Sequence, residues 1–293
     1  MLRIALPNKG RLSQDARDLF NDAGLHVHAA SDRALRASLG SGEFEAIFVR
    51  AQDIPEFVAD GAADAGITGL DLIAESERPV VSQLDLHFGQ CRLVVAVRED
   101  GSGQPVVETV QDLPAGTRLA TAFPTAASRF FAGLGQNVQI VPMSGAAEIA
   151  PHLGIADGIV DLVSSGSTLK TNGLREIGTI LESTAQLVVA ANRDGWLGDK
   201  ELALQELSSA LDSVVSARGQ RYLMANVPRD SLQRVRQILP GLSGPTVIDV
   251  LDGGRHVAVH AVVAESRVYR TIADLKAIGG EGILVTRIER LTP

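Results

Sequence analysis

Cysteine is almost absent from this chain: Cys91 is the only one. A disulfide framework and a CxxC metal knuckle are therefore both excluded. Lysine is scarce too. Lys9, Lys170, Lys200 and Lys276 are the only four among 27 basic residues, and arginine supplies the rest. No uncharged apolar run approaches the length of a membrane span. The opening MLRIALPNKGRL has too short an apolar run for a secretory signal, and charge arrives early. The expected location is cytoplasmic and reducing, with no membrane partner. Positive charge is in deficit as well. A net charge of −8 argues against a general nucleic-acid binder. It leaves room for a local basic pocket around a phosphorylated small molecule.

The 293 residues suffice for two or three domains, and 45% are hydrophobic, enough for a sizeable core. Strand and helix patterns alternate from the start. LRIAL (2–6) predicts a short buried strand, followed by a PNKGR turn and a helix from Ser13 to Ala23. Ser13 is the expected N-cap and Gly24 the stop. EAIFV (45–49) is a strand, and a helix with Pro55 in its first turn begins near Asp53. ADAGITG (63–69) enters a glycine turn, and LDLIAE opens a helix. This alternation predicts parallel α/β sheets.

RLVVAVR (92–98) is a strong strand. TRLATA, a helix over Ala126–Leu134 and NVQIVPM form a second α/β unit. A helix over Ala146–Leu153 and a strand over Gly158–Val163 come next, with a turn at Lys170–Gly173. LVVAA (187–191) reads as a strand returning to the first unit, and a long helix covers 199–218. Two α/β lobes crossed more than once by the chain put a cleft at their hinge. From Tyr222 the order becomes β-α-β-β-α-β, with TVIDVL and VAVHAVV paired about a DGGR turn. That is the split, ferredoxin-like arrangement.

The stretch DLVSSGSTL (161–169) carries the chemistry. A strand ending in Ser164, Ser165, Gly166, Ser167 and Thr168 can aim backbone N–H groups and hydroxyls at one anion, with Gly166 permitting close approach. Asp161 is then placed to accept hydrogen bonds from sugar hydroxyls. A polar loop with incidental serines is the other reading of the same run. Lys9 and Arg11 sit on a tight loop after a buried strand, as a site or as a solvated turn. Arg50 ends a strand, Asp71 stands at a helix start, and Glu148 lies on an expected helix; each also reads as an ordinary surface or N-terminal charge. Gly69 reads as a turn device. His26 with His28, and His256 with His260, share strand faces, but neither pair has a third ligand at a persuasive spacing, so no zinc site is expected. Cys91 is expected to be buried and inert.

The frame around that stretch is Glu148, Gly154, Ala156, Ile159, Asp161, Leu162, Ser165, Gly166, Thr168 and Leu169. It resembles the motif of the ATP phosphoribosyltransferase family, enzymes of the first step of histidine biosynthesis. LRIALPNKGRL and ADAGITGLDLI resemble two further loops of that family, and the three-part layout resembles its long form.

The resemblance implies two lobes of the periplasmic-binding-protein type, residues 1–91 with 184–218 and residues 92–183, then a ferredoxin-like regulatory domain over 219–293. It implies that Lys9, Arg11 and Arg50 meet phosphates, with Asp71 near the substrates. Glu148 and Asp161 would bind ribose hydroxyls, and Ser164, Ser165, Gly166, Ser167 and Thr168 the 5-phosphate. The substrates would be ATP and phosphoribosyl pyrophosphate, the cofactor Mg²⁺ riding on phosphates, and the inhibitor histidine. The assembly would be a homo-oligomer, dimer to hexamer.

The inhibitor site would involve the segment LPGLSGPT (239–246). Leu242 and Thr246 match it, while Gly244 stands where relatives have serine and Asn226 where an acid can bind the effector's amino group. Three rival readings remain at this point. A solute-binding protein is disfavoured by the phosphate loop, and a non-catalytic sensor by the intact Lys9, Arg11, Glu148, Asp161 and Thr168. A phosphoribosyltransferase of the commoner fold is disfavoured because Val160, not an acid, precedes Asp161.

Overall fold

The computed structural model describes residues 1–28, 34–196, 198–251 and 253–292. Two compact units, Met1–Ser208 and Ser209–Pro293, are described separately. The first unit contains two sheets. In chain order β1 (Leu2–Pro7), β2 (Val27–His28), β3 (Arg36–Leu39), β4 (Phe44–Val49), β5 (Ala65–Gly69) and β6 (Val80–Asp85) build the first. The chain then crosses to a second sheet of β7 (Cys91–Arg98), β8 (Thr117–Thr121), β9 (Val138–Pro142), β10 (Gly158–Val163) and β11 (Leu174–Ser183). It returns with β12 (Ala185–Ala190). The strand orders are β2-β3-β4-β1-β5-β12-β6 and β11-β7-β10-β8-β9.

The helices of this unit are α1 (Ser13–Asp22), α2 (Ile54–Ala59), α3 (Leu70–Ser76), α4 (Pro124–Gly133) and α5 (Ser167–Thr171), with α6 (Gly198–Ala217) running on into the second unit. Ala5 and Val188 of the first sheet are buried in one cluster with Ile54 and Val58 of α2. The second sheet is covered on both faces. Leu93, Val95, Leu119 and Phe131 lie in one cluster, and Val94, Ala96, Ile159 and Leu169 in another. Burial on both faces explains why RLVVAVR reads as a continuous apolar run rather than an alternation.

The expected alternation of strand and helix is observed, with several differences. The sheets are parallel only in part: β4-β1-β5 at the centre of the first and β10-β8-β9 at one edge of the second. β12 runs antiparallel to β5 and β6, and β7 antiparallel to β10 and β11. A strand delivered by a crossing between sheets, not by a βαβ connection, is not bound to run parallel. Ser13 is the first helical residue and not the N-cap; Leu12 occupies that position without a side-chain cap.

The helix expected over Ala146–Leu153 is a single 3₁₀ turn, Ala147–Ile149, preceded by Ala146 at φ +54°. Pro151 lacks the N–H a continuing helix needs, and Gly154 turns left-handed at φ +69°. The turn expected at Lys170–Gly173 starts later, because α5 runs to Thr171. β3, β6 and β11 are not among the expected strands.

The second unit is the expected split arrangement: β13 (Gln220–Pro228), α7 (Leu232–Ile238), β14 (Thr246–Asp249), β15 (His256–Ala264), α8 (Val268–Ala277) and β16 (Glu281–Arg287). The sheet order is β14-β15-β13-β16, antiparallel throughout. Leu223, Ala225, Val227, Val257 and Val259 are buried with Val235 and Leu275 of the two helices. The alternation along β13 and β15 leaves Asn226, Ala258 and His260 on the other face. Asp252, the first residue of the DGGR turn, lies outside the described residues. No described helix is long and apolar enough to cross a membrane.

Candidate active site

The cations of the first lobe gather at the carboxyl ends of parallel strands, where open α/β sheets present their ligands. Pro7 pairs with Val49, so the loops leaving β1 and β4 are neighbours. The Asn8 N–H donates to the Val49 carbonyl at 2.8 Å, tying them together. Lys9 and Arg50 stand exposed on these loops. Neither side chain has a hydrogen bond or ion pair to any described residue.

Arg11 differs. Its Nη2 reaches Asp71 Oδ1 at 3.1 Å and Oδ2 at 3.3 Å, and Nη1 donates to the Gly89 carbonyl. Asp71 is 1% exposed and opens α3. Ser183, the last residue of β11, donates its Oγ–H to Asp71 Oδ1 at 2.5 Å and accepts the Asp71 N–H at 3.0 Å. The carboxylate therefore has two partners, Arg11 on both oxygens and Ser183 on Oδ1. Gly69 is extended rather than a left-handed turn, which corrects its reading as a turn device. A Cβ there would lie 2.1 Å from Asp71 Oδ1, so the side chain is missing to let the carboxylate in.

The second lobe supplies the hydroxyl run. β10 ends at Val163, and Gly166 turns left-handed at φ +75° before α5. Among the described residues, no acceptor takes the N–H of Ser164, Ser165 or Gly166. A pocket of about 210 Å³ is lined by Glu148, Asp161, Ser164, Ser165, Gly166 and Thr168. Ser167 does not line it; its Oγ lies 3.0 Å from that of Ser165. Asp161 Oδ1 accepts only its neighbour's N–H, from Leu162 at 2.8 Å. Burial pushes its pKa above the ordinary 3.8, and the charge of Glu148 adds to the rise.

That shift has a consequence for stability. A raised folded-state pKa means the folded state holds its proton more tightly than the unfolded chain. The associated stability is fully present below 3.8 and is lost as pH rises through the folded value. Asp161→Asn is therefore expected to melt with the wild type in acid and above it at neutral pH. Thermal melts across that range check this; a constant offset would mean that the charge of Asp161 is not the cause.

A larger cavity, about 460 Å³, opens where the crossing strands pass between the lobes. Leu70, Cys91, Arg92, Ser183 and Thr184 line it, and it shares Val163 and Ser164 with the smaller pocket. Sequence reasoning named none of these lining residues except Ser164 as site residues. Ser183 is the most consequential omission, and its only signal was its place at the end of a strand that went unread. Burial pushes the Cys91 thiol up, with the Asp71 charge adding, so it stays protonated as expected of an inert cysteine. Among the described residues, no three His, Cys, Asp or Glu side chains group to hold a metal.

Residues 50–213 match the family model described as ATP phosphoribosyltransferase, and residues 217–290 match that of the HisG C-terminal domain. The chain belongs to the ATP phosphoribosyltransferase family. An ATP phosphoribosyltransferase of Gemmatimonas aurantiaca is 63% identical over 100% of both chains. One of Natronomonas pharaonis is 49% identical, again over 100% of each. The match over the full length, C-terminal domain included, makes this a long-form member. The solved HisG:HisZ ATP phosphoribosyltransferase complex of Thermotoga maritima has a chain 28% identical, with a TM-score of 0.60. That match covers 74% of this chain and 99% of the solved one.

Proposed function

We propose that this enzyme joins N1 of ATP to C1 of phosphoribosyl pyrophosphate in the cleft of the first unit, releasing pyrophosphate. The observation that carries the assignment to this site is the shared wall. Ser164 belongs to both the hydroxyl pocket and the larger cavity, and that cavity also takes in Leu70, beside Asp71, and Ser183. One lobe's phosphate loop and the residues flanking Asp71, the partner of the other lobe's Arg11, thus border one space, although Lys9, Arg11 and Arg50 line neither pocket. The lobes are residues 1–91 with 184–218, and 92–183; the regulatory domain is 219–293.

Adenine N1 carries an in-plane lone pair, so no base is needed to make the nucleophile. The demanding step is the break between C1 and pyrophosphate, with oxocarbenium character at C1 as in glycoside chemistry. The enzyme must hold two large anions together and stabilise the departing charge. Ser165, Thr168 and the N–H groups of Ser164 to Gly166 hold the 5-phosphate. Asp161 and Glu148 accept the ribose hydroxyls. Lys9 and Arg50, whose charges are free, face the leaving group. Arg11 adds positive potential from a fixed position, because its Nη groups are committed to Asp71 and Gly89.

The family uses a divalent metal, and we assign Mg²⁺. The donors present fit it: Asp161 and Glu148 offer hard oxygens beside the phosphate pocket. Mg²⁺ keeps several waters and leans on substrate phosphates, so an all-protein cage is not required. When bound, it neutralises the charge of the pyrophosphate.

Histidine inhibition is assigned to the second unit, and a cytoplasmic location follows from the biosynthetic role. Thr246 is the register partner of His260, which in turn pairs with Met224, two residues from Asn226. Thr246 and Asn226 therefore share the sheet face turned from the helices. Leu242 and Gly244 lie in the loop before β14, where Gly244 has open space for a Cβ. Glu281 is the register partner of Asn226 on the edge strand. Met224, Ile248 and Leu284 are exposed apolar side chains. They support a homo-oligomer, dimer to hexamer.

Absorbance at the phosphoribosyl-ATP band tests this, with ATP, phosphoribosyl pyrophosphate, Mg²⁺ and pyrophosphatase, with and without histidine. A rise suppressed by histidine is expected. A rise indifferent to histidine would keep the enzyme and remove the effector site. No rise from folded protein would sink the catalytic reading.

A further inference from the structure

Helix α4 lacks a cap of its own. Its N-cap position is Phe123, which has no side-chain acceptor, and Pro124 follows in the first turn. The first turn of a helix leaves N–H groups in need of acceptors, and Ser, Thr, Asp or Asn usually supplies one. Here the acceptor comes from the other lobe. Glu75 on α3 takes the Thr125 N–H on Oε1 at 3.1 Å and the Ala126 N–H on Oε2 at 3.0 Å.

α3 belongs to the first lobe and α4 to the second, so this bidentate contact joins the two lobes. Position 75 is one turn on from Asp71, on the same face of α3. Asp71 ties the start of that helix to Arg11 and to Ser183. Leu72 packs against the core of the second lobe. An exposed ion pair, Glu77 with Arg129, lies beside the contact.

We propose that Glu75 is a positioning residue for the transfer reaction: its carboxylate latches α4 to α3 and so aligns the phosphate loop with Lys9 and Arg50. The inference rests on the assignment of the loop to phosphoribosyl pyrophosphate and of those cations to its leaving group. The latch lies outside both pockets and touches no substrate. It sets the relation between two half-sites, one on each lobe. Charge and reach are both needed. Glutamine keeps the shape but loses one acceptor and the charge, and aspartate keeps the charge but is one methylene short.

Glu75→Gln is expected to lower kcat about tenfold, the size of one charged hydrogen bond lost. The KM for phosphoribosyl pyrophosphate should stay within about threefold, because the loop that binds it is intact. Exchange of the Thr125 and Ala126 amides should quicken by about the same factor as kcat falls. Glu75→Asp is expected to behave alike, and it carries the test if the glutamine variant is too unstable to assay. Glu77→Gln, at the exposed pair, should stay near wild type.

Faster amide exchange with unchanged kcat would make Glu75 a helix cap only and overturn the proposal. So would a raised KM with unchanged kcat. A wild-type protein without transferase activity would instead refute the function, whatever the variants do.

Discussion

Asp161→Ala is expected to lower kcat/KM for phosphoribosyl pyrophosphate by about a hundredfold or more, while the KM for ATP stays within about threefold. The asymmetry follows from geometry. Asp161 accepts only one hydrogen bond in the protein, from Leu162, and it faces a pocket whose other walls are Glu148, Ser164, Ser165, Gly166 and Thr168. Its remaining lone pairs have no partner among the described residues, although burial and Glu148 press it toward the neutral form. A carboxylate held charged against such pressure is poised for donors that arrive with a ligand, and ribose hydroxyls are such donors.

A hydrogen bond to a charged acceptor contributes about 1.5–3 kcal/mol, and a ribose offers two hydroxyls, which gives the hundredfold figure at the low end. Thr168→Ala removes one hydroxyl donor to phosphate and is expected to cost about tenfold by the same reasoning. Initial rates with each substrate varied in turn decide the matter. Equal losses toward both substrates would mean that Asp161 maintains the lobe and does not read the ribose.

The loop was legible because its demands are local. A strand that ends in small hydroxyl residues, with glycine where the chain must turn left-handed, needs no distant partner to be recognised. Gly166 at φ +75° and the strand over Gly158–Val163 both follow from the run itself. The ferredoxin-like unit was legible for a similar reason: β13 and β15 bury alternate residues against α7 and α8, so their period of two survives in the sequence.

β11 was not legible. It pairs with β7 through two register shifts, at Glu176/Gly178 and Thr179/Leu181, and each shift breaks the alternation that marks a strand. Losing β11 meant losing Ser183 from the wall of the hinge cavity, although a cleft at the hinge was expected. The helix expected around Glu148 failed where a proline removed a donor that periodicity does not count. Nor could any local pattern give the roles of Asp71 and Glu75. Both acids look like ordinary helix charges, and their partners lie far along the chain: Arg11 and Ser183 for one, Thr125 and Ala126 for the other.

Arg11→Ala should be the most damaging single change to stability at the site. The pair is asymmetric: Arg11 is 29% exposed and Asp71 is 1% exposed. Removing the arginine leaves a buried carboxylate with one hydroxyl donor, Ser183. Breaking a buried pair from one side leaves an uncompensated charge and costs roughly 3–5 kcal/mol, more than the pair contributes relative to an apolar replacement. Asp71→Asn is the informative counterpart. It removes the buried charge, keeps the shape beside Gly69, and leaves Arg11 able to reach water.

Chemical denaturation should therefore rank wild type first, Asp71→Asn next and Arg11→Ala last. The double variant Arg11→Ala with Asp71→Asn should recover part of the loss of Arg11→Ala, because the orphaned charge has gone. Both single variants should lose catalytic rate, since α3 and the loop carrying Lys9 are tied together through this contact. If Arg11→Ala is as stable as Asp71→Asn, the carboxylate is not isolated as its burial requires, and Asp71 must then reach water or another cation when the arginine is gone.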